Sequence, residues 1–149
     1  MKYIDIKGLK NEKEIKITIS NIRLGSSDYL RKDNIEYSEK IINRYKQVGG
    51  NCFDTAHHYR HSDMAFGEYF KRNGNRDEFV IFAKGCHPVR EYPHIPRVNK
   101  KCIIEDLEAS LNKLGTNYVD LFALHRDDEN VSVKEIIDTL DQLVRNGKI

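Results

Sequence analysis

The feature that most constrains this chain is an alternation, repeated four times, of a short apolar run, a polar turn and an amphipathic helical stretch. Parallel strands need a crossover of a dozen residues or more between them, and these helical stretches supply it. The first strand is read at residues 21–26, with Ile22 and Leu24 before Gly25 and Ser26. From about Asn34, Ile41, Ile42, Tyr45 and Val48 have helical spacing, and Gly49-Gly50 is a strong stop. A strand at 51–55 leads to a second helix, capped by Ser62 and ended by Gly74, with Ala65, Phe66, Tyr69 and Phe70 on one face. The apolar run before Lys84 predicts a strand at 79–84 that is buried on both faces. A loop with Pro88, Pro93, His94 and Pro96 then reaches a helix starting near Asn99, whose face is Ile103, Ile104, Leu107, Leu111 and Leu114 before Gly115. A strand at 118–124 and the charged turn 126–129 precede the last helix. There Ser132 and Glu135 have the spacing of a capping box, and Ile136, Ile137, Leu140, Leu143 and Val144 form the apolar face. Ahead of the alternation, Tyr3, Ile4 and Ile6, then Ile15, Ile17 and Ile19, flank the polar residues 8–14 and predict a small hairpin.

A chain of 149 residues is long enough for one domain with a real core and too short for two comfortable ones, so residues 1–149 are read as a single unit. The net charge of +2 comes from interspersed acids and bases, where a nucleic-acid surface would show a clustered basic stripe. No apolar run approaches a membrane span, and the amino terminus lacks a signal-peptide pattern. Cys52, Cys86 and Cys102 are odd in number and without paired spacing, so no disulfide framework is expected. A reduced, cytoplasmic protein without nucleic-acid or membrane partners is the expectation.

Chemistry concentrates where strands end. Asp54 closes the strand at 51–55, Tyr59 sits in the loop after it, Lys84 closes the next strand and His125 follows the last. In a barrel of parallel strands, carboxyl-terminal strand ends gather at one mouth. A phenol is a weak acid near pH 10, and a neighbouring ammonium favours its anion. Lys84 is the candidate ammonium, with Asp54 holding it charged and aimed, and His125 a hydrogen-bond donor to a substrate carbonyl. The set suits protonation of a carbonyl oxygen as hydride arrives at its carbon, the hydride coming from a cofactor because side chains cannot supply one.

The run Asn51-Cys52-Phe53-Asp54-Thr55-Ala56-His57-His58-Tyr59, with Ser62-Asp63 and Gly67 after it, resembles the Asp-Thr-Ala-x-x-Tyr signature of aldo-keto reductases. The segment from Ser110 to Leu121, leading to His125, is similar to the second signature of that family, and Ala83-Lys84 and Gly147-Lys148-Ile149 match its lysine strand and a helix ending. Arg60 and Asp63 depart from the pattern, standing where glycine and glutamate are usual. The resemblance implies an α/β fold: the amino-terminal half of a (β/α)8 TIM-type barrel, four parallel strand–helix units preceded by a small β-hairpin. It implies NADPH-dependent reduction of a small aldehyde or ketone, with NADH as the other form of the cofactor. Tyr59 would be the general acid, and Asp54, Lys84 and His125 would complete a catalytic tetrad. Gly25, Ser26 and Asp54 would lie near the nicotinamide end of the cofactor.

Four units do not close a barrel, so the sequence also carries a second reading: a non-catalytic half-barrel or assembly module that self-associates through exposed strand edges. In either reading the 149-residue chain is expected to bind NADPH weakly and to turn over little. A metal site built from His57, His58, His61 and Asp63 is not expected, since adjacent His57 and His58 would diverge and no matching set stands out downstream.

Overall fold

The computed structural model of the chain describes residues 1–10, 13–25, 30–59 and 61–149. Strands β1 (Tyr3–Lys10) and β2 (Lys13–Ser20) form an antiparallel hairpin in which Tyr3 faces Ser20 and Ile6 faces Ile17. The pairing runs through most of the polar stretch expected to lie between the strands. Backbone pairing there does not require apolar side chains, since this hairpin is largely solvent-exposed.

Three parallel strands follow: β3 (Cys52–Asp54), β4 (Val80–Gly85) and β5 (Leu121–Leu124), in that order across the sheet. The strand expected at 21–26 is reduced to one parallel bridge between Leu24 and Phe53 among the described residues. Leu24 donates to the Cys52 carbonyl at 3.0 Å and accepts from Asp54 N–H at 2.8 Å. Its neighbour Ile22 is exposed, so burial does not extend the pairing. Helices α1 (Ile35–Gln47), α2 (Ser62–Asn73), α3 (Lys100–Leu114) and α4 (Val133–Arg145) alternate with the strands.

Phe53 is fully buried and stacks between Phe66 at 4.2 Å and Phe79 at 4.4 Å, ring centroid to ring centroid. Ile42, Ile81, Ile103, Leu107 and Val119 complete this apolar layer between sheet and helices. Strand β4 departs from the expected burial on both faces. Ile81, Ala83 and Gly85 are buried, whereas Val80, Phe82 and Lys84 are only half-buried. Side chains alternate along a strand, so Lys84 projects to the more open face, away from the helix-covered Ile81 and Ala83.

Two helix starts also differ from expectation. His61 takes the N-cap place of α2, and Ser62 directs its hydroxyl to Thr55 at 2.8 Å. Ser132 precedes α4 without a side-chain cap bond, and the Glu135 carboxylate accepts from the Lys100 amide of α3 at 3.3 Å. The expected capping box therefore does not close. Asn34 and Asn99 do cap α1 and α3, accepting from Tyr37 N–H at 3.1 Å and Cys102 N–H at 2.9 Å.

Candidate active site

The parallel ladder continues past the strand ends, and that continuation sets the site. Thr55 and His57 N–H donate to the Phe82 and Lys84 carbonyls at 2.8 and 2.9 Å, and His125 N–H donates to the Gly85 carbonyl at 2.8 Å. Asp54 and Phe82 are register partners on neighbouring strands, so their side chains share a face, and Lys84 lies one alternation further along it. The Lys84 ammonium forms an ion pair with Asp54 Oδ1, donates to the Thr55 carbonyl at 3.3 Å, and lies 5.2 Å from the Tyr59 ring centroid. Tyr59 is fixed by a tight turn in which its N–H donates to the Ala56 carbonyl at 2.9 Å. The His125 ring stands edge-on to Tyr59, with centroids 6.0 Å apart. The four residues singled out at strand ends thus come together at one mouth.

Charge is balanced locally. The Lys84 and Asp54 side chains are only 16% and 20% exposed, so neither ion would be stable there alone. Arg23 adds a second cation 3.7 Å from Asp54 Oδ2 and lies over the Phe82 ring. Gly25 has its own structural reason: a Cβ there would sit 1.7 Å from the Asp54 carbonyl oxygen, so only glycine permits this approach. Ser26 lies outside the described residues.

Histidines crowd the same mouth. His58 stacks on His87 at 3.9 Å and meets His125 edge-on at 4.5 Å, while His87 and His125 are 4.9 Å apart. Burial first, and then the neighbouring His87 and Lys84 charges, push His125 down to about 4. His58 is likewise pushed down to about 4 by desolvation, then by His87 and His125. His57 turns the other way, as expected of an adjacent pair, and points Nε2 at Asp106 Oδ1 from 3.7 Å. Desolvation lowers its pKa against the pull of Asp106.

Two buried carboxylates frame the site, and neither was singled out in the sequence as a support. Asp106, on α3 and 3% exposed, accepts from Cys86 N–H at 2.7 Å and pairs with Arg97. It holds Cys86, which has the left-handed φ of 66° that only glycine adopts freely, directly after the strand that carries Lys84. Its signal is a charge inside an apolar helical stripe, between Ile103 and Leu107. Asp63, on α2, accepts hydroxyl bonds from Thr55 and Ser110, tying β3, α2 and α3 together below the Tyr59 turn. Burial outweighs those bonds and pushes its carboxyl up to about 6. A cavity of about 1040 Å³ opens beside the mouth, lined by Tyr59, His57, His58, His87, Arg31 and Arg97 among others.

Residues 21–149 match the aldo/keto reductase family. The chain belongs to that family. It is 32% identical over 148 residues to norsolorinic acid reductase B of Aspergillus parasiticus, a match covering 89% of this chain and 39% of that protein. It is 30% identical over 125 residues to aryl-alcohol dehydrogenase [NADP(+)] of Phanerodontia chrysosporium, covering 76% of this chain and 32% of that protein. A solved Pseudomonas aeruginosa structure described as an aldo-keto reductase superposes with a TM-score of 0.75 at 22% identity, over 89% of this chain and 54% of that one. The likeness identifies the fold as a partial TIM-type barrel. The chain spans only 32% to 39% of the length of these two relatives. Among the described residues, no helix is long and apolar enough to cross a membrane.

Proposed function

We propose that this family member carries the proton-donating machinery of an NADPH-dependent reductase that converts a small aldehyde or ketone to its alcohol. The observation that carries the reading is the convergence of Asp54, Lys84, Tyr59 and His125, brought from three strand ends to one face and one mouth. The reaction places one proton on the carbonyl oxygen and one hydride on the carbonyl carbon. NADPH, when bound, supplies the hydride and leaves as NADP+.

This chain's own residues handle the proton. Tyr59 Oη donates it and leaves a phenolate, which the Lys84 ammonium 5.2 Å from the ring centroid favours electrostatically. Asp54 keeps that ammonium in place, and Arg23 lies 3.7 Å from the other carboxylate oxygen of Asp54. His125 is neutral at physiological pH, so one ring nitrogen carries hydrogen and donates to the substrate oxygen without competing as an acid. Asp54, at the rim and a fifth exposed, would accept a bond from a ribose hydroxyl at the cofactor's nicotinamide end. The name of the fungal aryl-alcohol dehydrogenase supports NADP(H) as the form used.

The test is Tyr59→Phe in a form of the protein whose parent oxidises NADPH measurably with an aromatic aldehyde, followed by NADPH oxidation and NADPH binding. Removing only the donated proton should lower turnover roughly 100- to 10,000-fold and leave binding nearly unchanged. Unchanged turnover would remove Tyr59 as the acid, and joint loss of binding and turnover would make it a structural residue.

A further inference from the structure

Two of the three histidines at the mouth, His58 and His87, have no part in proton donation as read above. With His125 they offer three ligand nitrogens that lie within 4.8 Å of one another, from three different strand-end loops. We propose that His58, His87 and His125 form a three-imidazole site for a divalent late first-row cation such as Zn2+, with one coordination position open to the cavity.

Imidazole suits these cations, and three protein nitrogens with an open fourth place is a recurring zinc arrangement. Tetrahedral ligands at about 2.0–2.1 Å stand about 3.4 Å from each other, so no pair of the trio need close by more than roughly 1.4 Å. His87 is already oriented. Its Nδ1–H donates to the Pro88 carbonyl at 2.8 Å, which leaves the lone pair on Nε2. The Arg126 guanidinium, a donor only, reaches that same Nε2 at 3.3 Å, which requires the same tautomer. His125 has a buried Nδ1 without a hydrogen-bond partner among the described residues. His58 is the ring that must turn, because parallel rings 3.9 Å apart cannot both hold one cation in their planes. It lies on a turn, and its rotation exchanges the ring stacking on His87 for coordination of the cation. Binding displaces Arg126 from His87, so that arginine competes with the metal.

Binding by the trio does not depend on the reductase reading. Its consequence does: a cation held by His125 removes the donor to the substrate oxygen and inhibits reduction. The direct readout is therefore Co2+ titration of the full chain at neutral pH, by visible absorption and calorimetry, with circular dichroism to confirm folding of every variant. One equivalent should bind with the strong visible band of low-coordinate Co2+. His58→Ala and His87→Ala should each weaken binding on the order of tenfold or more. Arg126→Ala should tighten it, and His94→Ala, on the exposed proline-rich loop, should leave it unchanged. Absence of that band up to millimolar Co2+, or an affinity that neither His58→Ala nor His87→Ala alters, overturns the site. If a His variant misfolds, a failure of Arg126→Ala to tighten binding overturns it. A chain that binds Co2+ through these residues yet reduces no carbonyl keeps the site and sinks only the reductase reading.

Discussion

At the scale of single residues, the Lys84–Asp54 pair is the point on which the site turns. Both side chains are mostly out of water, so removing one leaves the other partly buried and under-compensated. In Lys84→Met, the one ion-pair partner left to Asp54 among the described residues is Arg23, at 3.7 Å and on a half-exposed side chain. Water still reaches the remaining fifth of the carboxylate, which limits the penalty to about 1–3 kcal/mol. Urea denaturation should show that loss, and the double variant Asp54→Asn/Lys84→Met should recover most of it. A single variant as stable as the parent would mean the pair is solvated and positions nothing. The pair was legible in the sequence because each member closes an apolar run, and ends of parallel strands share a mouth. Arg23 and His87 were not. Arg23 acquires its role from facing the same way as Asp54 across a single bridge, and His87 from the path of a proline-rich loop whose direction no periodicity encodes.

At the scale of elements, the junction of β3, α2 and α3 depends on a carboxyl that burial keeps protonated to about pH 6. The unfolded value is 3.8, so Asp63 is an acid whose folded pKa is raised. Its contribution to stability is full below 3.8 and is lost as pH rises through about 6. The two values differ by enough to be worth up to about 3 kcal/mol across that window. His125 acts in the opposite sense: its folded value is depressed, so its contribution is present above 6.5 and is lost as pH falls through about 4. His58 is depressed to about 4 in the same way, so a bare pH profile would mix Asp63 with both histidines, and Asp63→Asn separates the carboxyl from them. The amide can still accept from Thr55 and offer a donor to Ser110, but it does not titrate. Relative to this variant, the parent should be more stable at pH 4 than at pH 7 in urea midpoints. A difference independent of pH would mean that Asp63 is ionised throughout. Helix ends were legible where a residue has one available partner, as with Asn34, Asn99, Gly74 and Gly115. They were not legible at Ser62 and Ser132, where tertiary partners for Ser62 and Glu135 replaced the local bond.

For the molecule as a whole, the order of elements and the parallel sheet follow from the alternation of apolar runs and amphipathic stretches, which leaves few other ways to pair strands. Hidden from that pattern was how unevenly the order is supported. Strands β4 and β5 are anchored beyond the ladder: the Asp120 side chain accepts from Ile81 N–H at 2.8 Å and from Arg76 at 2.7 Å, and the backbone N–H of Val119 donates to the Lys148 carbonyl at 3.0 Å. Most of the described hairpin residues are exposed. Tyr3 and Ile4 are more than half exposed, and much of what ties its base to the body is polar. Asn51 accepts from Ser20 N–H at 2.7 Å and donates to the Thr18 carbonyl at 2.9 Å, while Tyr3 Oη donates to the Gly49 carbonyl at 2.8 Å. Regions with little buried apolar surface open at low free energy, so protection should be graded across the chain. Hydrogen exchange read by mass spectrometry should find β4 and β5 the slowest segments and the outer half of the hairpin the fastest. Asn51→Ala should speed exchange across the hairpin while leaving β4 near its parent rate, because the bonds it removes lie between hairpin and body. If β4 and the hairpin speed up together, the two open as one cooperative unit, and the hairpin helps to hold the strands that position Lys84 and His125.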